Sequence, residues 1–193
     1  MNNRVIVSGT AKWAKVRQPD VYQGVEVGYT MNLYPDNIKE YEKAVKSALE
    51  EVKTDARFAR KQFKNPRNGV REDEDGVKYI YLKAKSNFTD PDTGEVTRRY
   101  LNIYDKTGAI IPQEVLIGNG SEVEVAVDLV PYHFGANTCG ITPRIAAIKV
   151  NKLVEYNGGS GTGYGFTFDE SGDSVTFTDS TEEAEELDEG VDF

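Results

Sequence analysis

Residues 25–34 read Val-Glu-Val-Gly-Tyr-Thr-Met-Asn-Leu-Tyr, and this stretch is the clearest indication of the fold. Apolar side chains occupy every second position, at Val25, Val27, Tyr29, Met31 and Leu33. Because successive side chains of a strand point to opposite faces, the alternation predicts a strand with one buried face. The preceding segment Arg4–Val16 is predicted to be another strand.

A helix is predicted directly after this strand. Asp36 is a suitable N-cap, and apolar residues then recur at helical spacing, at Ile38, Tyr41, Val45, Leu49 and Val52. The helix is expected to reach Gln62 before Pro66 ends it. The segment Asn65–Gly76 is interpreted as a loop that ends in the turn signal Asp75-Gly76.

Four more strands are predicted in the rest of the body, as two hairpins. They are Lys78–Phe88 with Glu95–Tyr104, and Val123–Tyr132 with Pro143–Val154. Six strands with one inserted helix favour a mainly β fold, an antiparallel barrel of the OB type, whose closure removes sheet edges. A two-sheet sandwich is the alternative. The usual OB order places the helix after the third strand, whereas here it follows the second.

The charge of the chain is distributed unevenly. The net charge is −9, but all 23 Lys and Arg precede Asn157, and eleven of the 32 acidic residues follow it. The body, residues 1–156, is therefore +2 and the segment 157–193 is −11. This asymmetry indicates a basic-faced domain followed by an acidic tail.

The segment 157–193 is expected to be a flexible linker and a disordered tail. Its first part, Gly-Gly-Ser-Gly-Thr-Gly-Tyr-Gly, has the composition of a linker. The remainder is rich in acid and poor in aliphatic residues, so it cannot bury enough apolar area to offset its ordering entropy. The acidic run nevertheless ends on an aromatic residue, Phe193, which a purely solubilising tail does not need.

Few residues suit catalysis or metal binding. The only histidine, His133, and the only cysteine, Cys139, lack an evident third group for a catalytic dyad. Neither zinc spacing nor a phosphate-binding glycine pattern is present, so no catalytic residue, metal or cofactor is assigned. The acidic run Glu72–Asp75 is compatible with Mg²⁺ in a nuclease subunit, although a solvated loop is the favoured interpretation.

The N-terminal sequence lacks the apolar run of a signal peptide, and no stretch approaches the length of a membrane span. A single cysteine fits a reducing compartment. We therefore expect a cytoplasmic protein.

The first predicted hairpin carries a surface that suits single-stranded nucleic acid. Its core face holds Ile80, Leu82, Ala84, Phe88, Leu101 and Ile103. Its outer face interleaves tyrosines with cations, at Tyr79, Tyr81, Lys83, Lys85, Arg98, Tyr100 and Tyr104. Bases stack on aromatic rings, and cations between the rings contact phosphates. The alternative is that outward tyrosines only stabilise the sheet.

Further basic and aromatic residues extend this candidate surface. A second basic and aromatic strand segment consists of Lys12, Trp13, Lys15 and Arg17, in which Trp13 is either a stacking platform or a core residue. Tyr132 and Arg144 are additional candidates for stacking and for phosphate contact. A third basic region follows the predicted helix, at Arg57, Arg60, Lys61, Lys64, Arg67 and Arg71, and a solvated helix face is its simpler explanation.

Three segments resemble the single-stranded DNA-binding proteins of short-tailed lytic (T7-like) bacteriophages. Residues 9–24, GTAKWAKVRQPDVYQG, are similar to that family's first strand and loop. Residues 111–134 carry an IPxIGxGS-like turn and then the LVPY motif, at Ile117, Gly118, Gly120, Ser121 and Leu129, Val130, Pro131, Tyr132. The ending Asp188-Glu189-Gly190-Val191-Asp192-Phe193 resembles the family's acidic end with a terminal Asp-Phe.

The resemblance implies an OB barrel that binds single-stranded DNA in the replication and recombination of a phage, in the cytoplasm of an infected bacterium. It also implies that the tail contacts the phage DNA polymerase and helicase–primase, through Asp188, Glu189, Asp192 and Phe193. It further implies that the tail supports a homodimer and competes with DNA for the binding cleft. The alternatives are a virion or scaffold protein with a solubilising tail, and the Mg²⁺-dependent nuclease subunit.

Overall fold

A computed structural model describes residues 3–58 and 60–155, in which nine strands and one helix are found. Their bounds are β1 Arg4–Tyr22, β2 Val25–Pro35, α1 Ile38–Thr54, β3 Val70–Glu72, β4 Lys78–Ala84, β5 Asn87–Thr89, β6 Val96–Arg98, β7 Asn102–Asp105, β8 Ser121–Gly135 and β9 Thr138–Lys152. Within these ranges, no helix is long and apolar enough to cross a membrane. The predicted linker and acidic tail, 157–193, lie outside the described residues.

Five of the strands close into a barrel. The main sheet has the order β3-β4-β2-β1-β8-β9-β7, and an additional pairing of β4 with β9 joins its two halves. That closing pair is parallel, with Lys83 opposite Arg144, whereas β1, β2, β4, β8 and β9 are otherwise joined by antiparallel pairs. The predicted OB-type barrel is therefore confirmed, and the two-sheet alternative is wrong.

The core of the barrel follows the alternation seen in the sequence. Tyr29, Met31 and Leu33 of β2 have no exposed surface, and Ile80 and Leu82 of β4 pack beside them. The first two residues of the predicted face differ, because Val25 and Val27 are 65% and 40% exposed. They lie where β1 and β2 pair close to their turn, at Tyr22 opposite Val25.

Helix α1 is shorter than predicted at both ends. It begins at Ile38 after the cap residue Asn37 rather than Asp36, and it ends at Thr54 rather than near Gln62. Asp55 has extended backbone angles and its carboxylate accepts hydrogen bonds from the backbone and side chain of Arg57. The contact of α1 with the barrel uses Tyr41, Val45, Ala48 and Val52, all of which are buried.

The chain beyond α1 is tied to the β8–β9 hairpin by sheet-like hydrogen bonds. The N–H of Lys64 donates to the carbonyl of Ala136, and the N–H of Arg67 to that of Cys139. The N–H of Ile141 returns a bond to the carbonyl of Arg67. Between Thr54 and this pairing the chain forms isolated turns, in which the N–H of Phe58 donates to the carbonyl of Asp55 and the N–H of Lys61 to that of Phe58. The predicted helical extension to Gln62 is therefore wrong.

The prediction of a hairpin between Lys78–Phe88 and Glu95–Tyr104 is also wrong. One edge of β4 pairs with β2, and its other edge pairs with β3 and β9, so no edge remains for residues 95–104. That segment instead divides into β6, which pairs with β5, and β7, which pairs in parallel with β9. Strand β3 lies in a segment that was predicted to be loop. Phe88, predicted as core, is 56% exposed because it lies on β5, in the separate two-stranded sheet.

Gly140 should be essential for the contact between the hairpin and the chain beyond α1. Its φ is +148°, and a Cβ there would lie 2.1 Å from the carbonyl oxygen of Arg67. Gly24 is a matched control, because its φ is also positive, at +77°, but a Cβ would meet nothing within 4 Å. We expect Gly140→Ala to lower the free energy of unfolding by at least about 2 kcal/mol more than Gly24→Ala. Urea denaturation measures both values, and equal losses would contradict the close approach.

Candidate nucleic-acid interface

The outer face of β1, β2 and β4 brings polar and aromatic side chains into rows. Residues directly opposite each other in a sheet share a face, so paired positions identify the rows. One row consists of Lys12, Asn32 and Tyr81. The next consists of Lys15, Thr30, Lys83 and Arg144, which crosses from β1 to β9. We call this surface the barrel face.

Two tyrosines stack at one end of the barrel face. The rings of Tyr34 and Tyr79 have centroids 5.4 Å apart and planes inclined by 26°. The Nζ of Lys12 lies 4.2 Å from the centroid of the Tyr34 ring. The hydroxyl of Tyr34 donates to Asp73 at 3.0 Å. Burial and this neighbouring carboxylate raise the pKa of Tyr34, so the stacked ring stays neutral at physiological pH.

Tyr81 occupies the middle of the face, between two cations. The guanidinium carbon of Arg71 lies 3.9 Å from the ring centroid, and the Nζ of Lys83 lies 5.1 Å from it. Both distances are within the range of cation–π attraction. Arg71 reaches this position because β3 pairs with β4 and places Arg71 opposite Tyr79.

A groove of about 320 Å³ runs from Tyr81 towards the β8–β9 hairpin. Its lining includes the cations Arg67, Arg71 and Lys83 together with the rings of Tyr81 and Tyr132. Beyond Tyr132 the hairpin presents Phe134, which is 86% exposed and has its ring 5.9 Å from that of Tyr132. Cationic and aromatic groups therefore alternate along one continuous surface.

The third basic region lies beside this groove rather than on a helix. Arg60, Lys61 and Lys64 are exposed on the segment that follows α1. Phe63 in the same segment packs edge-on against His133 of the hairpin, with centroids 5.2 Å apart. The exposed cations are thereby held close to the hairpin end of the groove.

Several of the predicted site residues lie on or beside the barrel face, namely Lys12, Lys15, Tyr79, Tyr81, Lys83, Tyr132 and Arg144. Trp13 lies at its border and is 67% exposed, which excludes the core position considered for it. Asp188, Glu189, Asp192 and Phe193 lie outside the described residues.

Three predicted residues, Arg98, Tyr100 and Tyr104, are located elsewhere because the hairpin that would have grouped them with β4 does not form. Arg98 lies on β6 and pairs with Glu26 at 3.0 Å. The carboxylate of Glu26 also accepts from Ser86 and Asn87, and these bonds, chiefly that of Ser86, lower the pKa of Glu26. Tyr100 is exposed outside any strand, and Tyr104 lies on β7 opposite Lys149. Lys85 is exposed directly after the end of β4, two residues beyond Lys83.

The sequence did not indicate Tyr34 and Asn32 as parts of this surface, and it indicated Arg71 only as a member of the third basic region. Tyr34 and Asn32 lie on the polar face of the alternating strand β2, and that alternation could have identified them. Arg71 could not be placed in this way, because β3 is only three residues long and is defined by its pairing with β4.

The groups considered for catalysis have structural partners. The Nε2 of His133 lies 3.0 Å from the carbonyl oxygen of Gln62, and the thiol of Cys139 donates to the carbonyl of Ala136. Asp73 accepts from the backbone of Asp75 and Val77 and so closes the turn between β3 and β4. In the part of the chain that the structure describes, no three His, Cys, Asp or Glu side chains converge to hold a metal ion.

Comparison with known proteins places these features in a family. The family model of the single-stranded DNA-binding protein of bacteriophage T7 matches residues 29–146. Among curated protein sequences, none matches the chain.

Solved structures show the same fold. The crystal structure of gp2.5, a single-stranded DNA-binding protein encoded by bacteriophage T7, has a TM-score of 0.57 and 22% identity, over 91% of this chain and 100% of that one. The single-stranded DNA-binding protein of bacteriophage Enc34 in complex with single-stranded DNA has a TM-score of 0.53 and 11% identity, over 81% of this chain and 90% of that one. The structure of the Enc34 protein without DNA has a TM-score of 0.54 and 12% identity, over 81% and 86% of the respective chains.

Proposed function

The chain belongs to the family of the bacteriophage T7 single-stranded DNA-binding protein, and we propose that it coats single-stranded DNA during phage replication and recombination. It does so as a binding protein, without catalysis, and its contacts along the barrel face are independent of sequence. The barrel face is the binding surface. The observation that carries the proposal is the position of Tyr81 between Arg71 and Lys83, above a groove that other cations and Tyr132 line.

The binding mechanism follows from what an unpaired strand exposes. Its bases offer flat apolar rings, and its phosphates offer a regular line of negative charge. Tyr79, Tyr81 and Tyr132 supply stacking surfaces, and every base has a face that can use them. Lys12, Lys83 and Arg144 supply cations beside those rings, and binding releases the counterions of the phosphates that they neutralise.

The acidic tail serves a separate purpose in this proposal. The carboxylates of Asp188, Glu189 and Asp192, with the ring of Phe193, recruit replication proteins, in particular the phage DNA polymerase and helicase–primase. When DNA is absent, the tail competes for the barrel face, because a tethered segment of charge −11 has a high effective concentration at a basic surface. The tail also supports a homodimer.

Tyr81→Ala should weaken binding to oligo(dT) by about 1–3 kcal/mol with the fold intact, because a stacking platform is lost. Tyr100→Ala is the matched control, since Tyr100 is 59% exposed but lies apart from the groove. Fluorescence anisotropy of labelled oligo(dT) measures affinity, with duplex of equal length as the competitor and circular dichroism as the check on folding. Equal affinity of the Tyr81 variant and the unmodified protein would show that the barrel face is only sheet surface.

Lys83→Ala should make the salt dependence of binding shallower. Each phosphate contact on a single strand contributes roughly 0.7 to the slope of log K against log salt concentration. Lys53→Ala removes the same charge at the end of α1, where Lys53 pairs with Glu50, and should leave the slope unchanged. Titrations of oligo(dT) between low and high salt compare the two variants. The same change of slope in both would indicate a general charge effect without a specific contact at Lys83.

Deleting Glu182–Phe193 should raise affinity for single-stranded DNA, most strongly at low salt, because the deletion removes a competing line of negative charge. The same deletion should abolish binding to the replicative polymerase. Phe193→Ala keeps the side-chain charge, so it should impair the polymerase contact far more than it changes DNA affinity. Unchanged DNA affinity of the truncated protein at low salt would contradict the competition and leave only the partner contact.

A further inference from the structure

A pocket of about 460 Å³ lies beside Trp13, between β1 and the segment that leads into β8. Its walls include the indole of Trp13 and the aliphatic side chain of Leu116, with the polar side chains of Lys15, Gln18 and Asn119. The indole is 67% exposed, so one of its surfaces is available to a flat ligand. This combination of an aromatic wall and amide groups differs from the open, cationic groove at Tyr81.

The pocket depends on an unusual backbone at Trp13. The φ of Trp13 is +52°, a left-handed conformation that costs energy for a residue with a side chain. Its N–H donates to the Oδ1 of Asn119 at 2.7 Å, which holds the conformation in place. The register of β1 against β2 shifts between Lys12 and Lys15, and an irregularity of this kind turns a side chain away from its regular direction. Backbone strain of this sort is common at binding sites.

Arg17 fixes the opposite side of the pocket. It is only 7% exposed, and its guanidinium donates to the carbonyls of Ile111 and Val115, at 2.7 and 3.3 Å. Its Nη1 has no hydrogen-bond partner within the described ranges 3–58 and 60–155. A buried donor without an acceptor is costly, and a carbonyl oxygen is the kind of acceptor that it lacks.

The pocket borders the barrel face. Lys12, directly before Trp13, extends over the ring of Tyr34, and Lys15 stands in the same row as Lys83. A strand that follows the barrel face across β1 therefore passes the mouth of the pocket. An unstacked nucleobase of that strand has the required properties: a flat ring, an edge of hydrogen-bonding groups and, in most bases, a carbonyl oxygen.

We propose that this pocket receives one nucleobase of the bound strand, which leaves the stack of its neighbours and packs against Trp13. The amides of Gln18 and Asn119 then face the edge of the base, as amides do when they distinguish bases. This inference rests on the proposed function and adds a base preference to it. Binding tolerates all sequences along the barrel face but favours some bases at this one position.

Trp13 is the only tryptophan of the chain, so its emission reports directly on the pocket. The full-length protein is titrated with oligo(dT), oligo(dC) and oligo(dA) of equal length. Trp13 emission is recorded together with the anisotropy of a dye on the DNA. We expect the emission to be quenched in step with binding, and the affinities of the homopolymers to differ by about 5- to 100-fold.

Gln18→Leu tests the contact with the base edge. In the described part of the chain the Gln18 side chain is exposed and makes no hydrogen bond, so its replacement should not disturb the fold. The difference among homopolymers should fall several-fold, whereas quenching of Trp13 should remain. Gln113→Leu is the matched control, because Gln113 is exposed on the segment that leads into β8, outside the pocket lining. It should retain the full preference.

The outcomes separate this inference from the proposed function. Normal anisotropy changes with unchanged Trp13 emission would overturn the inference and leave the proposed function intact, whereas absence of any DNA binding would end both. If the Gln18→Leu variant shows quenching of Trp13 and keeps the full difference in affinity among the homopolymers, the base lies on the surface of Trp13 and outside the pocket. A change of Trp13 emission on deleting Glu182–Phe193, with none on adding DNA, would assign the pocket to the chain's own terminus and would also overturn the inference.

Discussion

The parallel contact between β4 and β9 is the constraint on which the rest of the structure depends. It closes the barrel where Lys83 stands opposite Arg144, and it brings together strands that are about sixty residues apart in sequence. Closure buries Ile80 and Leu82 inside the barrel. Because side chains alternate along β4, the same closure directs Tyr81 and Lys83 outwards. The interior packing and the binding surface are therefore two consequences of one strand pairing.

The sequence predicted those properties that depend on the local order of residues. Alternation correctly indicated the buried face of β2 at Tyr29, Met31 and Leu33 and the outward direction of Tyr79 and Tyr81. It could not indicate which strands pair, because that choice depends on loop closure and on the edges that remain available. The hairpin of β4 with residues 95–104 was predicted from their proximity in sequence, but β4 had both edges occupied.

That error explains which site residues were misplaced. Arg98 was assigned to phosphate contact because it alternates with tyrosines, yet it is part of the cluster in which Glu26 joins β2 to the β5–β6 sheet. Arg71 was assigned to a loop, yet a three-residue strand places it over the ring of Tyr81. Residue composition alone identified the chemistry of the surface. Which residues belong to the surface depends on how the strands pair, and local sequence patterns do not specify that pairing.

The cations on the barrel face have a further effect in the DNA-free protein. Arg71 and Lys83 already lie close to the ring of Tyr81, and Lys12 lies over Tyr34, so their long side chains are partly ordered before any ligand arrives. Ordering a long, flexible side chain on binding costs about 0.5–1.5 kcal/mol, and contacts that exist beforehand reduce that cost. A base that stacks on Tyr81 can displace Arg71 from the ring, or it can displace Lys83, and the displaced cation then reaches the adjacent phosphate. In both cases the ring and the cation bind neighbouring parts of the same nucleotide, so stacking and phosphate contact should strengthen each other rather than act as independent terms.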